Sequence, residues 1–342
     1  MLSYEMDSRP DTNQADSRIT HKPKACDRGL VTSTTAPPHA KFSLITPFLG
    51  PPTALREFLR KLIACELHPG EIIVVDNGEE HVLGPVAREF DRVRIIHEPE
   101  PGPGPARNAG AAVANFDVIA FLDQDCSPMP GWARAVSDAF QDESVSIVAG
   151  QVHSYISDNF SDASVVAYQK VFAHRNDLNI RNGFVGTGNL AVRKHVFDKV
   201  GGFSGINRSE ERDWSSRATK AGFSLGYSPE MGVHHPMSRS IEQLHFRVRR
   251  EYALEYLTRV EDYGERISLF REAVNVLWEL AGELHDIAQT DRVPSVRERI
   301  LAAVCCARLA GRKILTIAGV VLSGSASDVI SEWRVRTVSR GK

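Results

Sequence analysis

The chain has 342 residues, of which 42% are hydrophobic and 25% are charged, and its formal net charge is −2 at pH 7. This is the composition of a globular protein, and the near-zero charge predicts no nucleic-acid partner. The five cysteines are scattered without a Cys-x-x-Cys pair, which argues against a disulfide framework or a zinc site. Because the first forty residues lack the apolar run of a signal peptide, we expect a cytoplasmic protein.

Strands and helices are predicted to alternate from about residue 42 onward. Residues 1–40 are polar and rich in proline without periodicity, which predicts a disordered segment. Residues 42–46 form an apolar run that ends at Pro47, and residues 53–63 repeat apolar side chains at helical spacing. A second apolar run, 72–75, leads into a polar turn. Such alternation indicates a parallel sheet with right-handed crossovers.

A further apolar run, residues 118–122, stops at two acids, Asp123 and Asp125. A run bounded in this way predicts a strand buried on both faces. Ligands of open α/β sheets gather at the carboxyl ends of the strands, where these two carboxylates would lie. Oxygen ligands suit Mg²⁺ or Mn²⁺, and either ion can hold phosphate oxygens. The sequence therefore offers a candidate metal–phosphate site at this edge.

Two glycine-rich segments carry further expectations. Residues 101–110 open an alanine-rich helix whose first amides can face an anion. Residues 183–192 predict either a tight turn between strands or a close approach of the backbone to a ligand. Residues 209–221 form a helix that begins with several acids, and strands are expected near 223–227 and 232–233.

After residue 240 the pattern is helical throughout. Two apolar stripes, 241–252 and 267–288, precede a third helix that begins with a capping box at Ser295 and Glu298. Arg308 and neighbouring cations interrupt the last apolar stretch, so we do not expect it to cross a membrane. These helices either pack on the preceding domain or lie on a membrane surface, and they are also candidates for homodimer formation.

Four segments together resemble the inverting glycosyltransferases of family 2, which have the GT-A fold. The segments are Ser43-Leu44-Ile45-Thr46-Pro47, Val74-Val75-Asp76-Asn77-Gly78, Gly104-Pro105-Ala106-Arg107-Asn108-Ala109-Gly110 and Asp123-Gln124-Asp125. The resemblance covers about residues 41–240 and implies an α/β fold, a Rossmann-like mixed sheet flanked by helices, with a C-terminal helical extension. It divides the chain into a disordered segment (1–40), a glycosyltransferase domain (41–239) and a helical region (240–342). Within the domain, 41–150 would bind the nucleotide-sugar and 151–239 the acceptor.

The resemblance also implies functional residues, a cofactor and substrates. Asp125 would bind a divalent cation, Mn²⁺ or Mg²⁺, with Asp123 meeting the metal or the ribose, and a histidine, His234 or His235, would complete the shell. The residues implied to contact the nucleotide-sugar are Thr46, Pro47, Asp76, Asn77, Arg107, Asp123, Gly188 and Asn189. The donor would be a UDP- or GDP-sugar, and the acceptor a glycan, a lipid-linked molecule or a small molecule.

An inverting transfer needs a carboxylate that removes the proton of the acceptor hydroxyl. The family takes this base from a pair of acids at a helix start, which here is Glu210-Glu211, and Asp213 is a close competitor. Acids at this position are also explained by the helix dipole alone. Trp132 and Trp214 either stack on sugars or pack in the core. Residues 243–247 lack the tryptophan of the processive motif, which implies addition of a single sugar.

Two other functions remain open at this point. A glycosyltransferase-like binding or scaffold protein without turnover would tolerate Asn77, which replaces an acid of the family turn. A nucleotidyltransferase that makes activated sugars would share the sheet, but it requires a basic, glycine-rich loop after the first strand. Residues 45–52 contain no such loop.

Overall fold

The computed structural model describes residues 39–63, 68–78, 82–156, 162–205, 209–262, 264 and 267–323. Its strands are β1 (His39–Phe48), β2 (His68–Asp76), β3 (Val93–His97), β4 (Val118–Leu122), β5 (Ser127–Pro128), β6 (Ile147–Tyr155), β7 (Asn189–Arg193) and β8 (Leu225–Pro236). They form one eight-stranded sheet in the order β3-β2-β1-β4-β7-β6-β8-β5. The first four strands of that order are parallel, whereas β7 runs antiparallel to both β4 and β6. The sheet is therefore mixed.

The helices are α1 (Pro52–Ile63), α2 (Pro103–Ala112), α3 (Trp132–Ala139), α4 (Ala163–Phe172), α5 (Asn176–Asn179), α6 (Lys194–Val200), α7 (Glu210–Lys220), α8 (Ile241–Leu257), α9 (Leu269–Gln289) and α10 (Val296–Ser323). A 3₁₀ turn, Gly84–Glu89, lies between β2 and β3, and a π turn, Thr258–Asp262, follows α8.

The sheet is covered by helices on both faces because its central strands are apolar on both sides. In β1, Phe42 and Leu44 pack with side chains of α1 and α3, whereas Ile45 packs on the opposite face with α2, α6 and α7. Every residue of β4 is buried. This two-sided burial confirms the prediction for residues 118–122 and fixes the position of Asp123 at the end of a rigid strand.

Three sequence-based expectations differ from the structure. Residues 183–192 are not simply a turn, because their second half is the central antiparallel strand β7. The two strands expected at 223–227 and 232–233 form one strand, β8, which pairs along β6 through a bulge. The predicted disordered segment, 1–40, lies outside the described residues except for its last two, which begin β1. Long-range strand pairing causes the first two differences.

The C-terminal helices pack on the body through α4. Val165 of α4 and Leu244 of α8 enclose Cys305 and Leu309 of α10. The predicted capping box is confirmed, because Ser295 Oγ donates to Glu298 Oε2 over 2.9 Å and accepts from the Glu298 amide over 3.2 Å. Within the described ranges, no helix has both the length and the apolar character that crossing a bilayer requires. Division of the chain at residues 150 and 239 stays a prediction.

Candidate active site

The carboxyl ends of β1, β2 and β4 lie side by side at one edge of the sheet. Asp76 ends β2, and Asp123 directly follows β4. Gln124 joins two of these ends, because its Oε1 accepts from the Leu49 amide over 2.7 Å and its Nε2 donates to the Leu49 carbonyl over 3.1 Å. Gln124, the middle residue of the Asp-Gln-Asp segment, therefore holds the loop after β1 through two hydrogen bonds.

Arg107 is a buried cation that joins two carboxylates from different parts of the chain. Its Nη2 donates to Asp123 Oδ1 over 2.7 Å, and its Nη1 donates to Glu210 Oε1 over 2.6 Å. Only 3% of the Arg107 side chain is exposed. Burial raises the pKa of Glu210, and the guanidinium of Arg107 opposes this shift. Arg107 thus links the end of β4 to the start of α7, and its contact with the nucleotide stays a prediction.

Asp123 is held against the loop that precedes β7. Its amide donates to the Gly188 carbonyl over 3.3 Å, and a Cβ at position 188 would lie 2.8 Å from Asp123 Oδ2. Real Cβ atoms do not approach a carboxylate so closely, so a larger residue here would displace the Asp123 carboxylate that Arg107 holds. The structure therefore brings together two predicted donor-site residues, Asp123 and Gly188.

Asp125 and His235 form a pair suited to a metal ion. His235 Nε2 lies 3.4 Å from Asp125 Oδ1, and His235 Nδ1 lies 2.7 Å from the Pro236 carbonyl. A carbonyl acceptor requires a proton on Nδ1, so in the neutral imidazole Nε2 is the nitrogen that can bind a metal ion, and it faces Asp125. Burial raises the pKa of Asp125, an effect that His235 opposes. One carboxylate oxygen and one imidazole nitrogen fit a divalent cation such as Mn²⁺.

Two neighbours of this pair are poorer candidate ligands. The Cys126 thiol lies within 4.8 Å of the Asp125 and His235 ligand atoms, but its Sγ donates to the Gly188 carbonyl over 3.5 Å. A soft thiol also suits Mn²⁺ or Mg²⁺ less well than an oxygen ligand does. His234 points to the other face of β8, where its ring packs on His153 and Tyr155. Of the two adjacent histidines, only His235 faces the acids.

Asp76 and Asn77 shape the turn after β2. Asp76 is buried, and its carboxylate accepts from the amides of Gly78 and Leu83 over 3.2 and 3.4 Å. Asn77 Nδ2 donates to the carbonyls of Glu98 and Glu100, and Asn77 Oδ1 accepts from Gly102. The carboxamide of Asn77 therefore holds the loop that leads into α2.

The other predicted donor-site residues lie at different depths. Thr46 is fully buried, and its Oγ1 has no hydrogen-bond partner among the described residues. Pro47 is half-buried at the end of β1. Asn189 is buried in the sheet, where its carboxamide binds the Trp132 indole and the Met231 carbonyl. The Asn189 side chain thus supports the core beneath the site, and a direct contact with a donor stays a prediction.

Three carboxylates at the start of α7 have different surroundings. Glu211 Oε1 accepts from the Thr187 amide and hydroxyl, each over 2.8 Å. Asp213 accepts from the Ser204 hydroxyl and from Arg217, whose Nη1 also binds the Val200 carbonyl. Asp213 is therefore tied into the loop that precedes α7. Glu210 is paired with Arg107, and Glu211 binds the loop before β7.

Sequence reasoning missed two contributors to this site. Asn108 exchanges two hydrogen bonds with the Phe203 backbone, at 2.8 and 2.9 Å, which docks the loop before α7 onto α2. His174 stacks on His235 with ring centroids 4.0 Å apart, and its backbone has a φ of 53°. Burial lowers the pKa of His174 well below its usual value. Asn108 belongs to a recognised motif, whereas His174 lies in an irregular segment without a sequence signal.

Both tryptophans belong to the core. Trp132 packs edge-on against Phe42, with ring centroids 5.7 Å apart, and only 2% of it is exposed. The Trp214 indole donates to the Gly201 carbonyl over 3.0 Å and is fully buried. Neither ring is available to stack on a sugar, so the core interpretation is correct.

Comparison with known proteins agrees with the arrangement of the site. Residues 43–212 match the model of glycosyl transferase family 2. Glycosyltransferase AglE of Haloferax volcanii is 30% identical over 258 residues, which cover 70% of this chain and 83% of AglE. The pre-mycofactocin glycosyltransferase of Mycobacterium tuberculosis is 27% identical over 215 residues, or 59% of this chain and 44% of that protein.

A solved structure shows the fold. The mannosyltransferase PcManGT from Pyrobaculum calidifontis superposes with a TM-score of 0.51 at 15% identity, covering 84% of this chain and 90% of PcManGT. The mixed sheet flanked by helices is the GT-A fold that the resemblance implied. The chain belongs to glycosyl transferase family 2, and it is a glycosyltransferase of the nucleotide-sugar type.

Proposed function

We propose that the enzyme is an inverting, metal-dependent and non-processive glycosyltransferase. It moves one sugar from a nucleotide-diphospho-sugar to an acceptor hydroxyl. The observation that carries this proposal is the bridge made by Arg107, whose guanidinium binds Asp123 after β4 and Glu210 at the start of α7. This bridge brings the end of the sheet that carries Asp125 next to the helix that carries Glu211. Residues 41–150 would bind the donor, and 151–239 the acceptor.

Glu211 is the proposed base. Oε1 is engaged by Thr187, and Oε2 has no hydrogen bond among the described residues. Oε2 would accept the proton of the acceptor hydroxyl as the acceptor oxygen bonds to C1 of the sugar. The C1–O bond to phosphate breaks at the same time, and the diphosphate leaves with the electron pair. Attack opposite to the leaving group inverts the configuration at C1.

Asp125 and His235 are the proposed metal ligands, with Asp123 as a neighbour at the same edge. A divalent cation held there would supply a Lewis acid that neutralises charge on the leaving diphosphate. His235 is fixed for this role by the Pro236 carbonyl at Nδ1 and by the stacked ring of His174. PcManGT is described in complex with GDP-Man and Mn²⁺. GDP-sugars with Mn²⁺ are therefore the first donors to test, followed by UDP-sugars.

Asp213 and Glu210 are less suited to the base role. The Asp213 carboxylate already binds Ser204 and Arg217, and moving it would release the loop before α7. The Glu210 carboxylate is paired with a buried guanidinium. We therefore assign both acids to the support of the site.

The proposal is tested by thermal unfolding of the enzyme with GDP- and UDP-sugars, in Mn²⁺ or in chelator. A cognate donor should raise the melting temperature in Mn²⁺ by mass action, and Asp125→Ala should abolish this shift. Incubation of that donor with glycan and lipid acceptors, followed by NMR of the product, should show one added sugar with inverted configuration. A retained configuration, a long polymer, or donor binding without any turnover would contradict the proposal.

A further inference from the structure

The hairpin of α9 and α10 has an outward apolar face that no described element covers. On α10 the exposed residues recur every three or four positions and are Ile300, Val304, Ala307, Gly311, Leu315, Gly319 and Leu322. On α9 the corresponding exposed residues are Phe270, Leu277, Trp278, Ala281, Leu284 and Ala288. The exposed fraction is 80% for Phe270, 73% for Trp278 and 65% for Leu315. Side chains of this size are seldom so exposed together without a partner surface.

The two stripes lie on the same side of the hairpin. Val276 of α9 packs against Ala310 and Ile317 of α10, which defines the contact between the helices. With 3.6 residues per turn, the stripe of each helix begins roughly a quarter turn from the contact residues, in the same rotational sense when each helix is viewed from its N-terminus. Because the helices run antiparallel, rotations of the same sense bring both stripes to the same side of the hairpin. The opposite side of α10 faces the body, where Cys305 packs on α4 and α8.

The α10 edge of this face is cationic. By helical position, Arg297, Arg308 and Arg312 follow the outer edge of α10, and Arg308 pairs with Asp162 over 3.5 Å. Arg297 and Arg312 are exposed and form no ion pair with any described residue.

The acid of α10 is engaged elsewhere. Glu298, the one acid of α10, binds Lys170 of α4 over 2.6 Å. This carboxylate therefore does not neutralise the arginine edge. Helix α9 carries acids of its own, among them the exposed Asp286, so positive charge borders the apolar face along α10.

We propose that this face binds an anionic phospholipid surface. The apolar stripes would enter the boundary between headgroups and acyl chains, and the arginines would meet lipid phosphates. Trp278 lies at the edge of the stripe on α9, and tryptophan favours this depth because its ring is apolar and its N–H is polar. This inference concerns attachment alone and does not depend on the proposed transfer reaction.

The test is flotation of the full-length enzyme with phosphatidylcholine vesicles that do or do not contain phosphatidylglycerol. Binding should require phosphatidylglycerol and weaken with added salt. Trp278→Ser/Leu315→Ser should reduce the partition coefficient about a hundredfold, because each large apolar side chain contributes on the order of tenfold. Arg297→Gln/Arg312→Gln should reduce it about fivefold per arginine.

Arg134→Gln is the matched control, because Arg134 is an exposed helical arginine on α3. It should leave binding unchanged, and circular dichroism should show that all variants melt like the wild type. Absence of flotation, or flotation that the face variants do not weaken, would overturn the proposal. So would light scattering that shows a dimer which Trp278→Ser/Leu315→Ser converts to a monomer.

Discussion

Glu211 accepts two hydrogen bonds from Thr187 through a single oxygen, Oε1, one from the backbone amide and one from the hydroxyl. Thr187 is buried in the loop before β7, and Glu211 lies in the first turn of α7. The two bonds hold Oε1 at the loop, and Oε2 has no hydrogen bond among the described residues. Thr187 is thus a positioning residue for the proposed base.

Replacing Thr187 should lower turnover without changing donor binding. Thr187→Val removes the hydroxyl bond and keeps the amide bond, so we expect kcat to fall about tenfold, which corresponds to one hydrogen bond of about 1.4 kcal/mol. Thr187→Ser keeps both bonds and should retain activity. Steady-state kinetics with the cognate donor measures the effect. A Thr187→Val enzyme as fast as the wild type would show that this contact does not orient the base.

The Arg107 bridge predicts a stability change with a distinct pH dependence. Arg107→Met leaves Glu210 buried without its cation, and we expect a loss of about 3 kcal/mol at pH 8. Burial already raises the pKa of Glu210, and the variant loses the opposing guanidinium. The folded variant therefore holds a proton that the unfolded chain releases near its usual pKa. The cost should be small at pH 5 and should grow as the pH rises.

Denaturant unfolding at several pH values measures this effect. The double variant Arg107→Met/Glu210→Gln has no carboxylate to ionise at position 210, so its stability relative to the wild type should depend much less on pH. If the single and double variants showed the same pH profile, the buried pair would not be the cause.

The adjacent histidines of β8 form a matched pair for the metal site. His235 faces Asp125, whereas His234 packs on His153 and Tyr155 on the other face. His235→Ala should weaken Mn²⁺ binding about ten- to a hundredfold, and His234→Ala should leave it unchanged. Titration of Mn²⁺ followed by electron paramagnetic resonance measures the free ion. Equal effects of the two substitutions on Mn²⁺ binding would contradict His235 as a metal ligand.

Asn77 is predicted to be required as an amide, although family members have an acid there. Its Nδ2 donates to the carbonyls of Glu98 and Glu100 over 2.7 and 2.8 Å. Asn77→Asp replaces this donor with a carboxylate that the two carbonyl oxygens repel, so stability should fall by about 1–3 kcal/mol. Asn182→Asp is the control, because the side chain of Asn182 is exposed. Thermal melting that ranks the two variants equally would contradict this role.

The fold of residues 41–150 could be predicted from the sequence because its signals are local. The run from 118 to 122 is apolar at every position, since β4 is covered on both faces, and the acids after it lie at the predicted edge. The turn after β2 and the helix opened by residues 101–110 are also formed as expected. Each of these features is determined by residues close together in the chain.

The fold of residues 151–239 was harder to predict because distant residues determine it. β7 follows glycines that resemble a turn, and it becomes a strand through pairing with β4 and β6. Helix α4 is apolar on several sides because α10 covers it. The ion pair between Lys170 of α4 and Glu298 of α10 joins residues that are 128 positions apart in the chain. The packing of His174 on His235 could not be predicted from a local sequence pattern, because it joins residues that are far apart in the chain.

In the proposed reaction Glu211 removes the acceptor proton, and the rate at which nucleoside diphosphate is released from the cognate donor tests this role directly. In Mn²⁺, Glu211→Gln should bind the donor like the wild type and release nucleoside diphosphate about 10²- to 10⁴-fold more slowly. The amide keeps the shape and the hydrogen bonds of the side chain but cannot accept the proton. If Glu211→Gln released nucleoside diphosphate at the wild-type rate with donor binding intact, Glu211 would not be the base.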